Sequence, residues 1–130
     1  MRRARETAAI VAAAVGVQPT ELDDLIESDR GDWEGQTLEH IAAAHPELYA
    51  AFEAADPEFA FPGGESLADQ VSRTARALDI VAAGSAPALV VAHVGTIRAA
   101  MLATDLKPPP ERDVAHGQIV RLIWRRAATT

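Results

Sequence analysis

The sequence lacks cysteine altogether, so disulfide bonds and catalytic thiolates are excluded and a structural zinc site is not expected. It also lacks an apolar run that approaches the roughly 20 residues needed to cross a bilayer. The basic N-terminus is followed by an alanine-rich amphipathic pattern with neither the core nor the cleavage site of a signal peptide. These absences predict a cytoplasmic protein that has no membrane partner.

Positive charge is scarce as well. The chain has 12 Lys and Arg residues against 19 Asp and Glu residues, and its formal net charge is −7. Nucleic-acid binding depends on a positive surface that meets phosphates, so this balance argues against a nucleic-acid partner. A small phosphate ester stays compatible with it, because that ligand needs only a few cations concentrated in one pocket.

Several enzyme signatures are missing too. The sequence contains no Gly-x-Ser-x-Gly elbow, no Walker loop and no dinucleotide-binding fingerprint. Its four histidines include no pair that has a metal-ligand spacing supported by carboxylates, so we expect no metal site.

The 130 residues are the size of one domain, and 48% of them are hydrophobic, as in ordinary soluble proteins. Hydrophobic periodicity indicates a helix, a weak strand, further helices, a strand, a helix and a final strand, which is the order of an α/β fold. The first predicted helix is 4–15, and Gly16 ends it. Further helices are predicted to begin at Thr37, Pro46, Ser66 and about Thr96. The predicted strands are 19–26, 88–92 and 118–124.

The central feature is the stretch 88–98, Ala-Leu-Val-Val-Ala-His-Val-Gly-Thr-Ile-Arg. Its five apolar residues predict a strand that is buried on both faces, and His93 follows at the carboxyl end of that strand. Open α/β sheets bind ligands at this end, and the unpaired N–H groups of the next helix favour an anion. The pattern therefore predicts a phosphate or carboxylate site. A hydrogen-bonded histidine that caps a strand explains the same residues equally well.

Two further residues could meet the same anion. Arg3, at the entrance to the first helix, carries a guanidinium that could bind a phosphate through paired N–H groups. Glu27 lies in a glycine-rich loop, where a carboxyl group could protonate a leaving oxygen. The alternatives are a surface cation for Arg3 and a solvated loop acid for Glu27.

Four ordered segments of the chain resemble the histidine phosphatase superfamily, on its phosphoglycerate mutase-like branch. They are Arg-Ala-Arg-Glu-Thr-Ala at 3–8, the acid-bearing segment at 25–35, Pro-Gly-Gly-Glu-Ser at 62–66, and Val-Val-Ala-His-Val-Gly at 90–95. The resemblance implies a three-layer fold in which helices flank a mostly parallel sheet.

The resemblance also implies phosphoryl transfer through a phosphohistidine, with no metal or organic cofactor. Arg3 would bind phosphate, Glu27 would be the proton donor, and His93 would be the second active-site histidine. Val94 stands where the family usually has glycine, although its N–H remains available to the substrate. Hydrolysis of a small phosphate monoester is favoured over mutase activity, because the chain shows none of the extra length that retains an intermediate.

One departure from the family is large. The family opens with a strand that ends in Arg-His-Gly and supplies the nucleophile, and this sequence contains no Arg-His-Gly. The chain at 1–130 would then be a domain that is truncated at its N-terminus and lacks its first strand. The loss would open a sheet edge, through which two copies could pair. The alternative is a non-catalytic domain that binds phosphate or a partner.

Overall fold

The structure, a computed structural model, describes residues 2–125. Within this range no helix is long and apolar enough to reach across a bilayer. The short 3₁₀ turns are Asp23–Leu25, Gly31–Trp33 and Glu111–Asp113. The α-helices are α1 (Arg2–Val15), α2 (Leu38–Ala44), α3 (Pro46–Glu53), α4 (Leu67–Ala82) and α5 (Val94–Ala103).

The predicted helix ends are confirmed at four places. The Thr37 hydroxyl accepts a hydrogen bond from the His40 N–H at the start of α2. The Ser66 hydroxyl accepts one from the Asp69 N–H at the start of α4. Pro46 is the first residue of α3, where its missing N–H costs nothing. Gly16 has φ +74° and ends α1 in the left-handed conformation.

An aromatic cluster forms the centre of the structure. Trp33 makes edge-on contacts with Phe52 and Phe61 at ring-centroid distances of 5.5 Å, and Phe59 fills the space between them. Ile41 of α2 closes the cluster, and its side chain is fully buried. Because edge-to-face aromatic pairs pack favourably, this cluster fixes α2 and α3 against the loops that precede α4.

Helices α4 and α5 pack against each other and form the second half of the structure. Ala77 on α4 and Ala99 on α5 are fully buried, and side chains of this size let packed helices approach closely. Thr96 on α5 is also buried, and its hydroxyl donates to the carbonyl of Ile26 at 3.2 Å. This contact places the loop after residue 26 over the start of α5.

The predicted sheet is wrong for the chain that the structure describes. Residues 2–125 contain no strand, and their only β-pairing is an isolated antiparallel bridge between Ala60 and Ser66. The expected three-layer, mostly parallel architecture is therefore replaced by an assembly of helices and loops.

The reason for this difference lies in strand pairing. Residues 88–92 and 118–124 run without helix, turn or bend, as strands would, but no neighbouring strand pairs with either of them within the described chain. A strand exists only through its hydrogen-bonded neighbour. The expectation that 88–92 is buried on both faces also fails, since 62% of Leu89 is exposed. At 19–26 the predicted weak strand is replaced by the turn Asp23–Leu25.

Candidate active site

Glu27 lies directly on the first turn of α5. One of its carboxylate oxygens accepts a hydrogen bond from the Gly95 N–H at 3.1 Å, and the other accepts from the Ser28 N–H at 2.9 Å. Only 13% of its side chain is exposed. The sequence predicts an anion at this helix terminus, and in the structure the carboxylate of Glu27 occupies it.

This contact requires glycine at position 95. A β-carbon added to Gly95 would collide with the carboxylate of Glu27. The absence of a side chain therefore allows an acidic group from a distant loop to reach the backbone of α5. Close approach of this kind is a common reason for glycine within a regular element.

His93 is the N-cap residue of α5, with φ −79° and ψ 162°. Its Nε2 atom is buried and has no hydrogen-bond partner among the described residues. Buried polar atoms are nearly always paired, so this ring nitrogen has the capacity to hydrogen-bond a ligand at the helix terminus. The structure thus brings the two predicted residues, Glu27 and His93, to one helix terminus.

The other two predicted site residues are placed differently. Val94 is the first residue of α5, so its N–H belongs to the helix end that Glu27 contacts. Arg3 lies on the exposed first turn of α1, and its guanidinium takes part in no hydrogen bond or ion pair within residues 2–125. No contact joins Arg3 to Glu27 or His93 in this structure.

Arg30, which is partly buried, and Glu111, which is buried, form an ion pair beside Glu27. The Arg30 guanidinium meets Glu111 through both of its terminal nitrogens, and one of these pairs is 3.0 Å long. The same guanidinium lies 3.8 Å from the Glu27 carboxylate and within 6 Å of the ring centres of Phe52 and Phe61. Burial opposes its charge, but the hydrogen bonds and charge of Glu111 outweigh that effect and raise the pKa of Arg30.

Arg73 holds the loop that carries Glu27. Its guanidinium binds the Glu65 carboxylate at 2.7 and 3.0 Å and donates to the carbonyls of Asp24 and Ile26 at 2.8 and 2.7 Å. The segment Pro-Gly-Gly-Glu-Ser at 62–66 therefore has a structural role, because its Glu65 holds the Arg73 side chain against the loop that carries Glu27. A bidentate pair of this kind fixes orientation as well as distance.

Arg98 is a buried structural residue. Its guanidinium donates to the carbonyls of Phe52, Glu53 and Pro109 at 3.0, 3.1 and 3.0 Å. Burial lowers the pKa of Arg98, and the charges of Glu111 and Glu53 offset part of that effect. These contacts join the end of α3 to the proline-rich loop at 107–110.

Sequence reasoning missed Arg30, Glu111 and Arg73. Arg30 and Glu111 are 81 residues apart in the chain, and no local pattern indicates that they meet. Within residues 2–125, no group of three or more His, Asp and Glu side chains lies where it could hold a metal ion.

A family model for the histidine phosphatase superfamily, branch 1, matches residues 1–130. The chain belongs to this superfamily. The resemblance of its four segments to the family is thereby confirmed.

Two curated members of the histidine phosphatase superfamily are similar to this chain. The glucosyl-3-phosphoglycerate phosphatase of Mycolicibacterium vanbaalenii is 34% identical and matches 98% of this chain and 60% of its own length. Phosphoserine phosphatase 1 of Hydrogenobacter thermophilus is 31% identical and matches 82% of this chain and 53% of its own.

The fold comparison points to the same family. The native structure of a mycobacterial glucosyl-3-phosphoglycerate phosphatase superimposes with a TM-score of 0.67 and 30% sequence identity, over 80% of this chain and 54% of that one. The chain spans between 27% and 60% of the length of the curated relatives it matches.

Proposed function

We propose that Glu27 and His93 belong to the active site of a phosphomonoesterase that hydrolyses a small phosphate monoester through a phosphohistidine. The observation that supports this most directly is the meeting of an acidic group and an orphaned imidazole nitrogen at the N-terminus of α5. The N–H groups of a helix N-terminus favour a phosphoryl group, and an acid beside them can serve the leaving group.

The reaction has two steps. A nucleophilic imidazole attacks phosphorus, the ester P–O bond breaks, and protonated Glu27 gives its proton to the leaving alkoxide. Water then attacks the phosphohistidine, Glu27 takes up a proton from that water, and the P–N bond breaks to release inorganic phosphate. In the family the nucleophile comes from an Arg-His-Gly segment that this sequence lacks, so the complete site needs a histidine from outside these 130 residues.

The described residues supply the charge-stabilising part of this site. The ring nitrogen of His93 and the N–H groups of Val94 and Gly95 would donate to phosphoryl oxygens, as preorganised donors do in phosphoryl transfer. A phosphoryl oxygen competes with Glu27 for the Gly95 N–H, so substrate binding requires the carboxylate to rotate toward the leaving group. Arg3 is a proposed phosphate ligand on the strength of the family resemblance.

The substrate class is a small phosphate monoester. The two curated relatives carry names for different substrates, phosphoserine and glucosyl-3-phosphoglycerate, and both of these are phosphate esters of alcohols. We therefore place the specificity of this chain among phosphorylated hydroxyl compounds, and a panel of such esters is the appropriate assay.

The test of this function restores the nucleophile. We expect a chain that is extended at its N-terminus by a strand ending in Arg-His-Gly to release inorganic phosphate from p-nitrophenyl phosphate or from a member of the ester panel. His93→Ala should lower kcat/KM in the extended chain by at least about 100-fold, because a preorganised donor is lost.

His40→Ala is the matched control, because His40 is exposed on α2 and takes no part in the site. It should leave kcat/KM within about twofold of the unsubstituted extended chain. Equal activity of the His93 and His40 variants would exclude His93 from the site.

The second candidate is a non-catalytic domain that binds phosphate. The absence of Arg-His-Gly from the sequence favours it, because the 130 residues then contain phosphate donors without a nucleophile. This candidate predicts that the 130-residue chain binds inorganic phosphate and that the extended chain shows no turnover with any ester in the panel.

A further inference from the structure

Arg30 lies beside the Glu27 carboxylate, and its own position is fixed by other residues. Both terminal nitrogens of its guanidinium bind Glu111, one of them at 3.0 Å. The guanidinium carbon lies 5.7 Å from the ring centre of Phe52 and 5.5 Å from that of Phe61, so the planar group packs against the aromatic cluster. These contacts hold the Arg30 guanidinium in place without a hydrogen bond to Glu27.

The Arg30 guanidinium also has hydrogen-bond donors that Glu111 does not use. A guanidinium carries five N–H groups. Among the described residues, Glu111 is the only side chain that accepts from this one, and it takes two of the five. The nitrogen nearest to Glu27, at 3.8 Å, is a terminal nitrogen that carries two hydrogens. A carboxylate that moved toward this nitrogen would therefore find a donor.

One oxygen of the Glu27 carboxylate lies between two such donors. Its Oε2 atom accepts from the Gly95 N–H at 3.1 Å and lies 3.8 Å from the Arg30 guanidinium, which is too far for a hydrogen bond. The Oε1 atom accepts from the N–H and the hydroxyl of Ser28 at 2.9 and 3.3 Å. Because Ser28 holds Oε1, a shift of Oε2 by about 1 Å would complete a hydrogen bond to Arg30.

A phosphoryl group on the Gly95 N–H would make the present position of Oε2 unfavourable. It takes the same donor, and its negative charge repels the carboxylate at short range. Among the described residues, Arg30 carries the only cation within 4 Å of the Glu27 carboxylate. Because Glu111 already pairs with Arg30, the guanidinium keeps a counter-charge both before and after the carboxylate moves.

We propose that Arg30 is a positioning residue that receives the Glu27 carboxylate when a phosphoryl group occupies the Gly95 N–H. The inference rests on the proposed function, which requires the carboxylate to leave that N–H as substrate binds. Glu27 bonds to α5 in the ligand-free protein and to Arg30 in the phosphate-bound protein. Arg30 thereby strengthens phosphate binding through Glu27, without contact between its guanidinium and the phosphate.

The first experiment is a double-mutant cycle on the binding of inorganic phosphate, measured by calorimetry on the 130-residue protein. Arg30→Gln and Glu111→Gln are introduced together, so both charges are removed and two amides that can pair remain. We expect phosphate to bind at least about tenfold more weakly, because Glu27 has no second partner and competes for the Gly95 N–H. In the Glu27→Gln background the same two substitutions should change binding by less than about twofold.

The matched control is Arg5→Gln together with Glu21→Gln. These two side chains form an ion pair at 2.9 Å, and each of them is 64% exposed. The control removes one Arg–Glu pair with the same chemistry and the same unchanged net charge. It should alter phosphate binding by less than about twofold, because an exposed pair contributes little.

The second experiment leaves the Arg30–Glu111 pair intact, so it decides the question if the double variant fails to fold. The guanidinium ¹⁵N signals of Arg30 are followed while inorganic phosphate is added to the 130-residue protein. We expect them to shift along the same binding curve as the Gly95 amide, and to stay unchanged in Glu27→Gln, where no carboxylate arrives. The guanidinium signals of Arg73, which binds Glu65, should stay unchanged in both proteins.

Three results would overturn the proposal. Equal weakening of phosphate binding in both backgrounds would make Arg30 a direct phosphate ligand or a support of the fold. A shift of the Gly95 amide without a shift of the Arg30 signals would exclude Arg30 and leave the proposed phosphate site intact. Absence of phosphate binding at Gly95 would overturn the proposed function together with this inference.

Discussion

Glu111→Gln is expected to lower the free energy of unfolding by about 3 kcal/mol, because it removes the carboxylate that makes the hydrogen bonds of the Arg30 charge and leaves only the more distant Glu27 carboxylate beside it. Glu111 is 9% exposed and Arg30 is 19% exposed, so solvent cannot replace the lost carboxylate. Glutamine keeps the size of the side chain, which limits the effect to charge and hydrogen bonding. The measurement is urea unfolding followed by tryptophan fluorescence, with Trp33 of the aromatic cluster as one of the reporters.

The control for this variant is Glu6→Gln. Glu6 pairs with Arg2 at 2.9 Å on the surface of α1, where the two side chains are 60% and 90% exposed. Exposed ion pairs contribute about 0–1 kcal/mol, so this variant should stay close to the parent protein. Equal stability losses in the two variants would show that the Arg30–Glu111 pair has no special role in holding the site.

Glu27→Gln is expected to change binding and turnover in opposite directions. In the 130-residue chain it should tighten the binding of inorganic phosphate by about tenfold, because it removes a negative charge from the place where the anion binds. In the chain extended by an Arg-His-Gly strand it should lower kcat by about 10²–10⁴-fold, since glutamine cannot supply a proton to the leaving group. Calorimetry gives the binding constant, and phosphate release gives the rate.

The opposite signs separate a proton donor from a residue that only supports the fold. A structural role for Glu27 predicts that both binding and turnover become weaker in the variant. Glu39→Gln serves as the control, because Glu39 is an exposed acid on α2 that makes no contact with the site. The Glu27 variant could instead bind phosphate more weakly while the Glu39 variant binds it unchanged. That result would contradict the proposal that the Glu27 carboxylate occupies the phosphate position.

Local features of this chain could be predicted from its sequence. The caps at Thr37 and Ser66 and the left-handed Gly16 follow from contacts within a few residues, and each of them is confirmed. The helix after His93 was also predicted, although it begins at Val94 and not at about Thr96. The difference arises because His93 itself has an extended backbone and caps the helix.

Features that depend on distant partners could not be predicted in the same way. The strand predicted from the apolar residues at 88–92 is wrong, because a strand needs hydrogen-bonded neighbours and the described chain offers none. The expected three-layer sheet failed for that reason. The ion pair of Arg30 with Glu111 is similarly invisible in the sequence, because neither residue belongs to a motif and the intervening segment is long.

The candidate site was predicted in part. The convergence of Glu27 with His93 was expected from the family resemblance, and the structure places both residues at the start of α5. The sequence did not indicate that the carboxylate itself would fill the predicted anion position. Arg3 was expected at the same place, but α1 holds it on an exposed turn that has no contact with the site.

The central claim is that the N-terminus of α5, beside His93, is a phosphate site. The most direct test is a titration of the ¹⁵N-labelled 130-residue protein with inorganic phosphate, followed by amide and imidazole NMR. We predict that the amides of Val94 and Gly95 and the ring nitrogens of His93 shift together along one binding curve, with sulfate as a weaker competitor. The claim would be contradicted if these residues showed no chemical-shift change on addition of phosphate, or if the changes were confined to the surface arginines of α1.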